Sequence, residues 1–360
     1  MARIRTAVVG AGHLGSIHAR ILRSLDAFEL SVVVDPAESA RRAAAERFGV
    51  ATAADLAPWL DRIDAVVLAS PTSQHFAGAR ECLDAGLHAF VEKPLTPTAA
   101  EAAALVELAD RRRRTLQVGH VERFNPAWVA ARPRLSAPQF IECVREGTFS
   151  FRSTDVGVVL DLMIHDLDLV LALVSAPLVD VEACGAALLG KHEDTAFARL
   201  RFADGCTAVL SASRVASAAT RRMRVRTAEA FATLDFQAKT ASLVHLDPQL
   251  RHGRIAVERM SNDELRRCKE ELHSRLLRHE ELTTSPSDAI TAELTEFADA
   301  VRSGRRPTAS GVEGLASLRA AERILEAIAA DRSYDAAPQP AFAGPHFVMT
   351  ADAVPLRRAG

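Results

Sequence analysis

The first 120 residues alternate short apolar runs with segments that have the hydrophobic periodicity of helices. Strands are predicted at residues 6–9, 30–34, 65–68, 89–91 and 116–119. Between them, helices are predicted at residues 14–24, 40–48, 75–85 and 99–111. Strands that alternate with helices of about ten residues are typical of parallel βαβ units. The pattern therefore predicts an α/β domain built on a doubly wound parallel sheet.

The pattern changes after Phe124, where Pro126, Pro133 and Pro138 interrupt the chain. Period-2 or apolar segments follow, and they predict strands at residues 195–202, 206–213, 222–227 and 231–236. Adjacent strands with no helices between them indicate an antiparallel or mixed sheet. Helices are predicted from Ala289 to a stop at Gly304 and again over residues 314–330. We expect an α/β domain over residues 1–122, an α+β domain over 123–330 and a loosely held tail over 331–360. The charged segment 261–281, helical or mobile, has no predicted role.

The composition is typical of a folded globular protein and argues against nucleic-acid-binding and membrane-spanning proteins. Hydrophobic residues make up 48% of the chain and charged residues 25%, which is typical of a folded globular protein. The net charge of −2 gives no overall attraction to nucleic acid or an anionic membrane, and no apolar run approaches the ~20 residues of a membrane span. Four arginines at 111–114 end a predicted helix, so they indicate a solvated helix end and not a nucleic-acid site. Five scattered cysteines and no signal peptide predict a cytoplasmic protein with reduced thiols.

The first predicted turn has the glycine spacing of a dinucleotide-binding site. Gly10, Gly12 and Gly15 follow a strand and open a helix, and Asp35 lies twenty residues later at the end of the next strand. Such glycines allow a tight turn, a close approach to the pyrophosphate and close helix packing. The acidic residue accepts hydrogen bonds from the ribose hydroxyls and repels a 2′-phosphate. NAD is favoured, while Arg41 and Arg42 leave NADP open.

Two further loops follow predicted strands at the same edge of the sheet, where ligands of open α/β sheets bind. They are residues 68–76 and the sequence FVEKPL at residues 90–95. We expect the cofactor to contact both loops and the start of the first helix. The expected contact residues outside the glycines and Asp35 are His13, Leu14, Ser70, Pro71, Thr72, His75, Glu92 and Lys93.

The sequence DLMIHDLD, residues 161–168, places carboxylates and a histidine inside an apolar region. If it is helical, Asp161, His165 and Asp168 stand at i, i+4 and i+7 and share one face. Histidine titrates near neutrality, as a general base for alcohol oxidation must. Oxygen and nitrogen ligands also suit divalent metals, but no further His or Cys cluster supports a metal site, and none is predicted.

The glycine turn, the EKP sequence, DLMIHDLD and the closing segment from ELTEF to LEAI together resemble the Gfo/Idh/MocA family of oxidoreductases over nearly all of residues 1–330. The resemblance implies a Rossmann domain followed by an α+β domain with a large open, mainly antiparallel sheet, which walls the substrate cleft and mediates dimer or tetramer formation. It also implies oxidation or reduction of a sugar or cyclitol carbon. Met163 stands where the family usually has glycine, which puts the width of the pocket in doubt.

The same resemblance implies roles for the polar residues. Lys93 matches the lysine that contacts the reacting hydroxyl and the nicotinamide ribose, and His165 matches the catalytic histidine. Asp161 and Asp168 match the carboxylates that flank it. Which of Lys93 and His165 takes the proton first stays open, as does the direction of hydride transfer.

Residues 117–128 and 149–168 resemble one subgroup, the UDP-N-acetylglucosamine 3-dehydrogenases. That resemblance implies a ketone product that a partner aminotransferase uses for lipid A. The implied substrate-side residues are His120, Arg123, Asn125, Arg152, Thr154, Asp155 and Asp168. Arg123 and Arg152 are candidates for the diphosphate, which arginine holds in bidentate fashion. The alternatives are a free cyclitol or sugar such as myo-inositol, and a non-catalytic dinucleotide sensor, which would have no use for both Lys93 and His165.

Overall fold

The computed structural model describes residues 2–149, 156–251 and 257–331. The N-terminal strands are β1 (Ile4–Val9), β2 (Phe28–Val34), β3 (Ala51–Ala53), β4 (Ala65–Leu68), β5 (His88–Val91) and β6 (Leu116–Val118). The helices between them are α1 (His13–Ser24), α2 (Glu38–Phe48), α3 (Thr72–Asp84) and α4 (Ala99–Arg112). All six strands pair in parallel in the order β3-β2-β1-β4-β5-β6. This doubly wound sheet confirms the predicted α/β class. Only β3 was missed, and it has three residues, none of them buried.

The second half contains a 3₁₀ turn (Val121–Phe124), α5 (Pro126–Ala131), β7 (Phe140–Glu146), a π-helical segment (Val159–Met163) and α6 (Ile164–Leu173). Then come β8 (Leu178–Ala186), β9 (Thr195–Phe202), β10 (Thr207–Ser213), β11 (Thr220–Arg226), β12 (Ala230–Asp235) and β13 (Thr240–Leu246). The chain closes with α7 (Pro248–Arg251), α8 (Asn262–Glu270), β14 (Leu277–Glu281), α9 (Ala289–Ser303) and α10 (Gly311–Ala330).

Eight strands form the second sheet in the order β14-β13-β12-β11-β7-β10-β9-β8. Only the pair β7 and β10 is parallel, so the predicted mainly antiparallel sheet is confirmed. The strands predicted at 195–202, 206–213, 222–227 and 231–236 are β9 to β12, within two residues at each end. Strands β7, β8, β13 and β14 were missed. Segment 261–281 holds α8, which a capping box of Ser261 and Glu264 begins, and then β14.

Helices α9 and α10 carry the chain back to the first sheet. Phe297 on α9 stacks on Phe28 with ring centroids 6.4 Å apart and meets Phe90 edge-on at 5.8 Å. Leu315 and Leu318 on α10 join the core formed by α3, α4 and their strands. Because α10 also packs against α6 and β8, it holds the two sheets together. The division at residue 122 stays a proposal, and this packing assigns α9 to the first domain's core.

Several further expectations concern surfaces and tails. Of the helices in the described ranges, none has both the length and the apolar character that a membrane crossing requires. Within the same ranges, no group of three or more His, Cys, Asp or Glu side chains is arranged to hold a metal ion. The predicted tail lies outside the described residues apart from Asp331.

Candidate active site

The glycine turn between β1 and α1 leaves open space above Gly12, where a bound ligand can reach the main-chain N–H groups of the protein. Gly10 has φ +95°, and a Cβ there would lie 2.6 Å from the Ala69 carbonyl oxygen. A Cβ on Gly15 would lie 1.7 Å from the Gly10 oxygen, whereas one on Gly12 would meet nothing within 4 Å. Gly12 begins α1 without any side-chain cap, so the first N–H groups of the helix stay available. An open, positively polarised helix start fits a dinucleotide pyrophosphate.

The side chain of Asp35 is held beside this turn at the end of β2. Its Oδ2 accepts a hydrogen bond from the Ala11 amide at 2.8 Å, and its Oδ1 accepts one from the Ala37 amide at 2.9 Å. Arg41 donates to the carbonyl oxygens of Asp35 and Pro36, at 2.9 and 2.7 Å. Arg42 pairs with Glu38. Both arginines therefore have partners within the protein, while each Asp35 oxygen keeps a lone pair for a ribose hydroxyl.

His75 joins the loop after β4 to the loop after β5. Its Nδ1 lies 2.9 Å from the Pro94 carbonyl oxygen and its Nε2 lies 2.9 Å from that of Ser70. The ring is buried, and each nitrogen lies beside a carbonyl oxygen, so the tautomer decides which of the two accepts a hydrogen bond. The imidazole therefore positions the loop 70–72, and the expected direct contact of His75 with the cofactor stays a prediction. Ser70 lies beside Gly10, whose added Cβ would come within 2.9 Å of the Ser70 nitrogen, and Pro71 and Thr72 follow it in the same loop.

Glu92 is a buried carboxylate between the cofactor turn and Lys93. His18 Nε2 on α1 lies 2.6 Å from Glu92 Oε1, and the Lys93 amide donates to Glu92 Oε2 at 3.2 Å. Burial opposes ionisation, but the hydrogen bond and charge of His18 and the charge of Lys93 outweigh it, so the pKa of Glu92 lies below its ordinary value. His18 could not be identified from the sequence, because its position on α1 resembles that of a core residue.

Lys93 reaches across the interface between the two sheets to Asp161. Its Nζ donates to both the carbonyl oxygen and the Oδ1 of Asp161, each at 2.8 Å. The two side chains are 15% and 19% exposed, so they border an accessible space. An ammonium group has three N–H donors, and two are used here. One donor of Lys93 therefore remains for a substrate oxygen.

His165 is partly exposed one turn after Asp161, at the start of α6. Its Nδ1 is buried and has no hydrogen-bond partner in the described ranges. Burial, followed by the charges of Lys93, Arg145, His120 and Arg221, lowers the pKa of His165 well below its usual value. The imidazole is therefore neutral at physiological pH, which is the form that a base needs, while the same burial and charges weaken its affinity for a proton.

Asp168 does not share an accessible face with Asp161 and His165. It is fully buried, and Arg123 donates to its two oxygens at 2.6 and 2.8 Å. Ser317 on α10 covers the same side of the helix. Asp168 is buried because α10 packs on that part of α6, and its predicted contact with substrate stays a prediction. Asp161 lies in the π-helical segment Val159–Met163. The wider turn of this segment changes the angular spacing between Asp161 and the side chains of α6.

The predicted substrate residues near Arg123 are also occupied by the protein. Asn125 caps α5 by accepting from the Ala127 amide, and it donates to Glu122 and to the Phe236 carbonyl. His120 is buried, with its Nε2 3.8 Å from Asp168 Oδ1. Arg123 and Asn125 therefore have protein partners, whereas both ring nitrogens of His120 are buried without a hydrogen-bond partner in the described ranges. A substrate role for these three residues stays a prediction. Arg152, Thr154 and Asp155 lie outside the described residues, and their role stays a prediction.

Comparison with known proteins decides the family. The model "Oxidoreductase family, NAD-binding Rossmann fold" of Gfo/Idh/MocA matches residues 4–120, and the Gfo/Idh/MocA C-terminal domain matches residues 128–232. The UDP-N-acetylglucosamine 3-dehydrogenase of Acidithiobacillus ferrooxidans is 35% identical over 92% of this chain and 99% of its own length. The chain belongs to the Gfo/Idh/MocA oxidoreductase family.

Other relatives agree with this membership. A solved structure of the Acidithiobacillus ferrooxidans enzyme superposes with a TM-score of 0.80 at 33% identity, covering 92% of this chain and 99% of that one. The inositol 2-dehydrogenase of Rhizobium meliloti is 26% identical over 91% of this chain and 98% of its own length. A levoglucosan dehydrogenase complexed with NADH and levoglucosan, at 17% identity and a TM-score of 0.75, covers 91% of this chain and 98% of that one and shares the fold.

The Gfo/Idh/MocA domain of this chain also contains a buried ionic group that the sequence reasoning missed. Arg145 on β7 donates two hydrogen bonds to Asp166, at 3.0 and 2.8 Å, and one to Glu122 at 2.8 Å. All three residues are buried. The available signal was the alternation of β7, which puts Arg145 on the same face as Ile141 and Cys143. This group ties β7 to the helix that carries His165.

Alanine substitutions at two glycines should separate ligand binding from folding. Gly12→Ala is expected to keep the thermal midpoint but to weaken NAD binding, because its Cβ enters only the open space over α1. Gly15→Ala is expected to lower the thermal midpoint of the apo protein, since its Cβ would collide with the Gly10 backbone. Calorimetry of NAD binding and thermal unfolding of both variants check this. Unchanged NAD affinity in Gly12→Ala would contradict the assignment of the turn.

Proposed function

We propose that this protein oxidises the 3-hydroxyl of UDP-N-acetylglucosamine to a ketone, with NAD as the hydride acceptor. The observation that carries this proposal is the 35% identity to the Acidithiobacillus ferrooxidans enzyme over nearly the full length of both proteins. The accessible Lys93, Asp161 and His165 support it, because a non-catalytic dinucleotide sensor has no need of such a group.

Lys93 is proposed to hold the reacting hydroxyl oxygen. Asp161 fixes the Lys93 ammonium through two hydrogen bonds, which leaves the third N–H for the substrate. As negative charge develops on the oxygen, the ammonium stabilises it without moving. When bound, NAD supplies the nicotinamide carbon that accepts the hydride.

His165 is proposed to accept the hydroxyl proton. A general base must be unprotonated at the working pH, and the lowered pKa of His165 ensures that. The reverse step, ketone reduction, would use the same proton. The neighbouring positive charges of Lys93 and Arg145 destabilise the imidazolium form of His165.

This assignment predicts a pH profile. Since the pKa of His165 lies well below 6.5, the acid limb of kcat/KM for oxidation should fall well below pH 6.5. Above that limb the base stays neutral, so lowering the pH from 8 toward 6.5 should cause no loss through His165. The measurement is kcat/KM against pH at saturating cofactor. An acid limb at or above pH 6.5 that disappears in His165→Gln would contradict the lowered pKa of His165.

NAD is proposed over NADP because of the charges beside the adenosine end of the turn. The Asp35 carboxylate would face a 2′-phosphate at close range, and Arg41 and Arg42 already have protein partners. NADH should therefore bind more tightly than NADPH. Titration of the two reduced cofactors, by the quenching of protein fluorescence, tests the order, and a preference for NADPH would reverse the assignment.

Arg221 is proposed to contact the diphosphate, in place of Arg123. It stands opposite Arg145 in the ladder of β11 and β7, two residues before the buried Met223, so it lies on the sheet face that α6 covers. Its charge contributes to the lowered pKa of His165. It is exposed, and among the described residues no carboxylate pairs with it. An unpaired arginine beside the base suits a charged part of the substrate.

The experiment that tests the function is a steady-state comparison of substrates. Reduced nicotinamide should form with UDP-N-acetylglucosamine, and much less with N-acetylglucosamine or myo-inositol, when an aminooxy reagent traps the ketone. Arg221→Met should raise the KM for the UDP-sugar by about tenfold or more. Arg222→Met, on the opposite face of the same strand, is the matched control and should change it little. Turnover with myo-inositol alone would refute the proposal in favour of a cyclitol dehydrogenase.

Three further expectations belong to this proposal. An aminotransferase would convert the 3-keto product to an amine for lipid A, because transamination transfers an amino group from a donor to a ketone. A cytoplasmic location agrees with five unpaired cysteines. Homo-oligomerisation through the open sheet is supported by the partly exposed Phe140, Phe197 and Phe231 on β7, β9 and β12.

A further inference from the structure

A cavity lies at the edge of the parallel sheet opposite the proposed active site. Its volume is about 380 Å³, and it is bounded by the end of α4, the first residues of β5 and β6, the loop after α9 and the start of α10. The volume is within the range of small-molecule sites, ~300–1,000 Å³. Because β5 and β6 run from this edge to Lys93 and His120, about 13 Å of strand separates the cavity from the active site.

Four arginines border the cavity: Arg113, Arg114, Arg305 and Arg306. Arg306 pairs with Glu313. Within the described ranges, no salt bridge or side-chain hydrogen bond engages the other three guanidinium groups. In the run of four arginines, the first two are neutralised outside the cavity, Arg111 by Glu107 and Arg112 by Asp84. Asp110 is the single acidic residue of the lining, so the cavity carries a net positive charge.

The lining also offers a neutral donor and an apolar wall. The Thr115 amide donates to His88 Nδ1 at 3.0 Å, which leaves the proton of the neutral ring on Nε2. Burial and then the charge of Arg114 lower the pKa of His88 to about 4, so the ring is neutral. Val106, Ala109, Leu116 and Pro307 supply apolar surface.

We propose that this cavity binds a small molecule that carries two or more phosphate groups on a compact apolar body, such as a nucleoside triphosphate. Three unpaired guanidinium groups match several phosphate oxygens through charge-assisted hydrogen bonds. The apolar wall indicates that the ligand also has an apolar part, because phosphate groups alone would make no favourable contact with that wall. The site is separate from the cofactor turn, which lies at the other edge of the sheet.

Calorimetric titration of the NAD-saturated protein with ATP and with inorganic tripolyphosphate tests this proposal. Saturation with NAD keeps ATP from the glycine turn. We expect one ATP per chain and weaker binding of tripolyphosphate. The double variant Arg113→Gln/Arg305→Gln should weaken ATP binding by about tenfold or more. The double variant Arg111→Gln/Arg302→Gln removes the same charge beside the cavity and should weaken it by less than about twofold.

Four results would overturn the proposal. Equal weakening in both double variants would mean general surface attraction, and absence of binding would mean no site. Tripolyphosphate binding as tightly as ATP would remove the role of the apolar wall. A single-stranded oligonucleotide that displaces ATP and binds more tightly would replace the small molecule with a nucleic acid.

Discussion

Lys93→Met is expected to lower the turnover number by about two to four orders of magnitude, the range for loss of a charge that stabilises a developing oxyanion. Methionine keeps the length and apolar stem of lysine but removes the ammonium that Asp161 holds at 2.8 Å. NAD affinity should change much less, because the glycine turn and Asp35 supply most of the proposed cofactor contacts. His165→Ala should give a loss of the same order, through removal of the base.

The control for this substitution is Lys269→Met, the same chemical change on the exposed surface of α8. It should leave turnover and NAD affinity unchanged. Single-turnover rates and NAD titrations should be measured on the same preparations. If Lys93→Met abolished NAD binding while turnover per bound cofactor stayed intact, the proposed role at the reacting oxygen would be wrong.

Arg145→Met is expected to lower the free energy of unfolding by about 3–5 kcal/mol, the usual effect of breaking a buried ion pair from one side. The substitution leaves the carboxylates of Asp166 and Glu122 buried without their cation. Burial already raises the pKa of Asp166 in spite of Arg145, so removing the arginine favours its protonation or local unfolding. Urea unfolding of the apo protein measures the change.

Arg224→Met provides the matched control, because Arg224 pairs with Glu142 and the two side chains are 42% and 36% exposed. Exposed ion pairs contribute about 0–1 kcal/mol, so this variant should stay close to the wild type. A loss in Arg145→Met no larger than that in Arg224→Met would show that the buried group is not a structural requirement of the second domain.

The local parts of the fold and site could be predicted from sequence. Gly10, Gly12, Gly15 and Asp35 lie in a single βαβ unit, so their spacing in sequence determines their spacing in the structure. The buried strands of the parallel sheet are continuous apolar runs, and β9 and β10 alternate cleanly. These features depend on neighbours within about thirty residues.

The long-range parts could not be predicted. Asp168 faces Arg123, which is 45 residues away, because α10 packs over that side of α6. The helical spacing of Asp161, His165 and Asp168 gave no information about which neighbour would cover which residue. The alternation of β7 places Arg145 on the face of Ile141 and Cys143, but only the packing of β7 on α6 shows that Asp166 is its partner. Such pairings follow from the tertiary arrangement and not from local periodicity.

The most direct test of the proposed activity is the transfer of deuterium from UDP-N-acetylglucosamine labelled at carbon 3. The purified protein would be incubated with NAD and the labelled substrate, and the reduced cofactor would be analysed by mass spectrometry. We expect deuterium in the reduced nicotinamide and a slower rate than with unlabelled substrate. Reduced cofactor without deuterium, or no reduction with this substrate while a free polyol is oxidised, would contradict it.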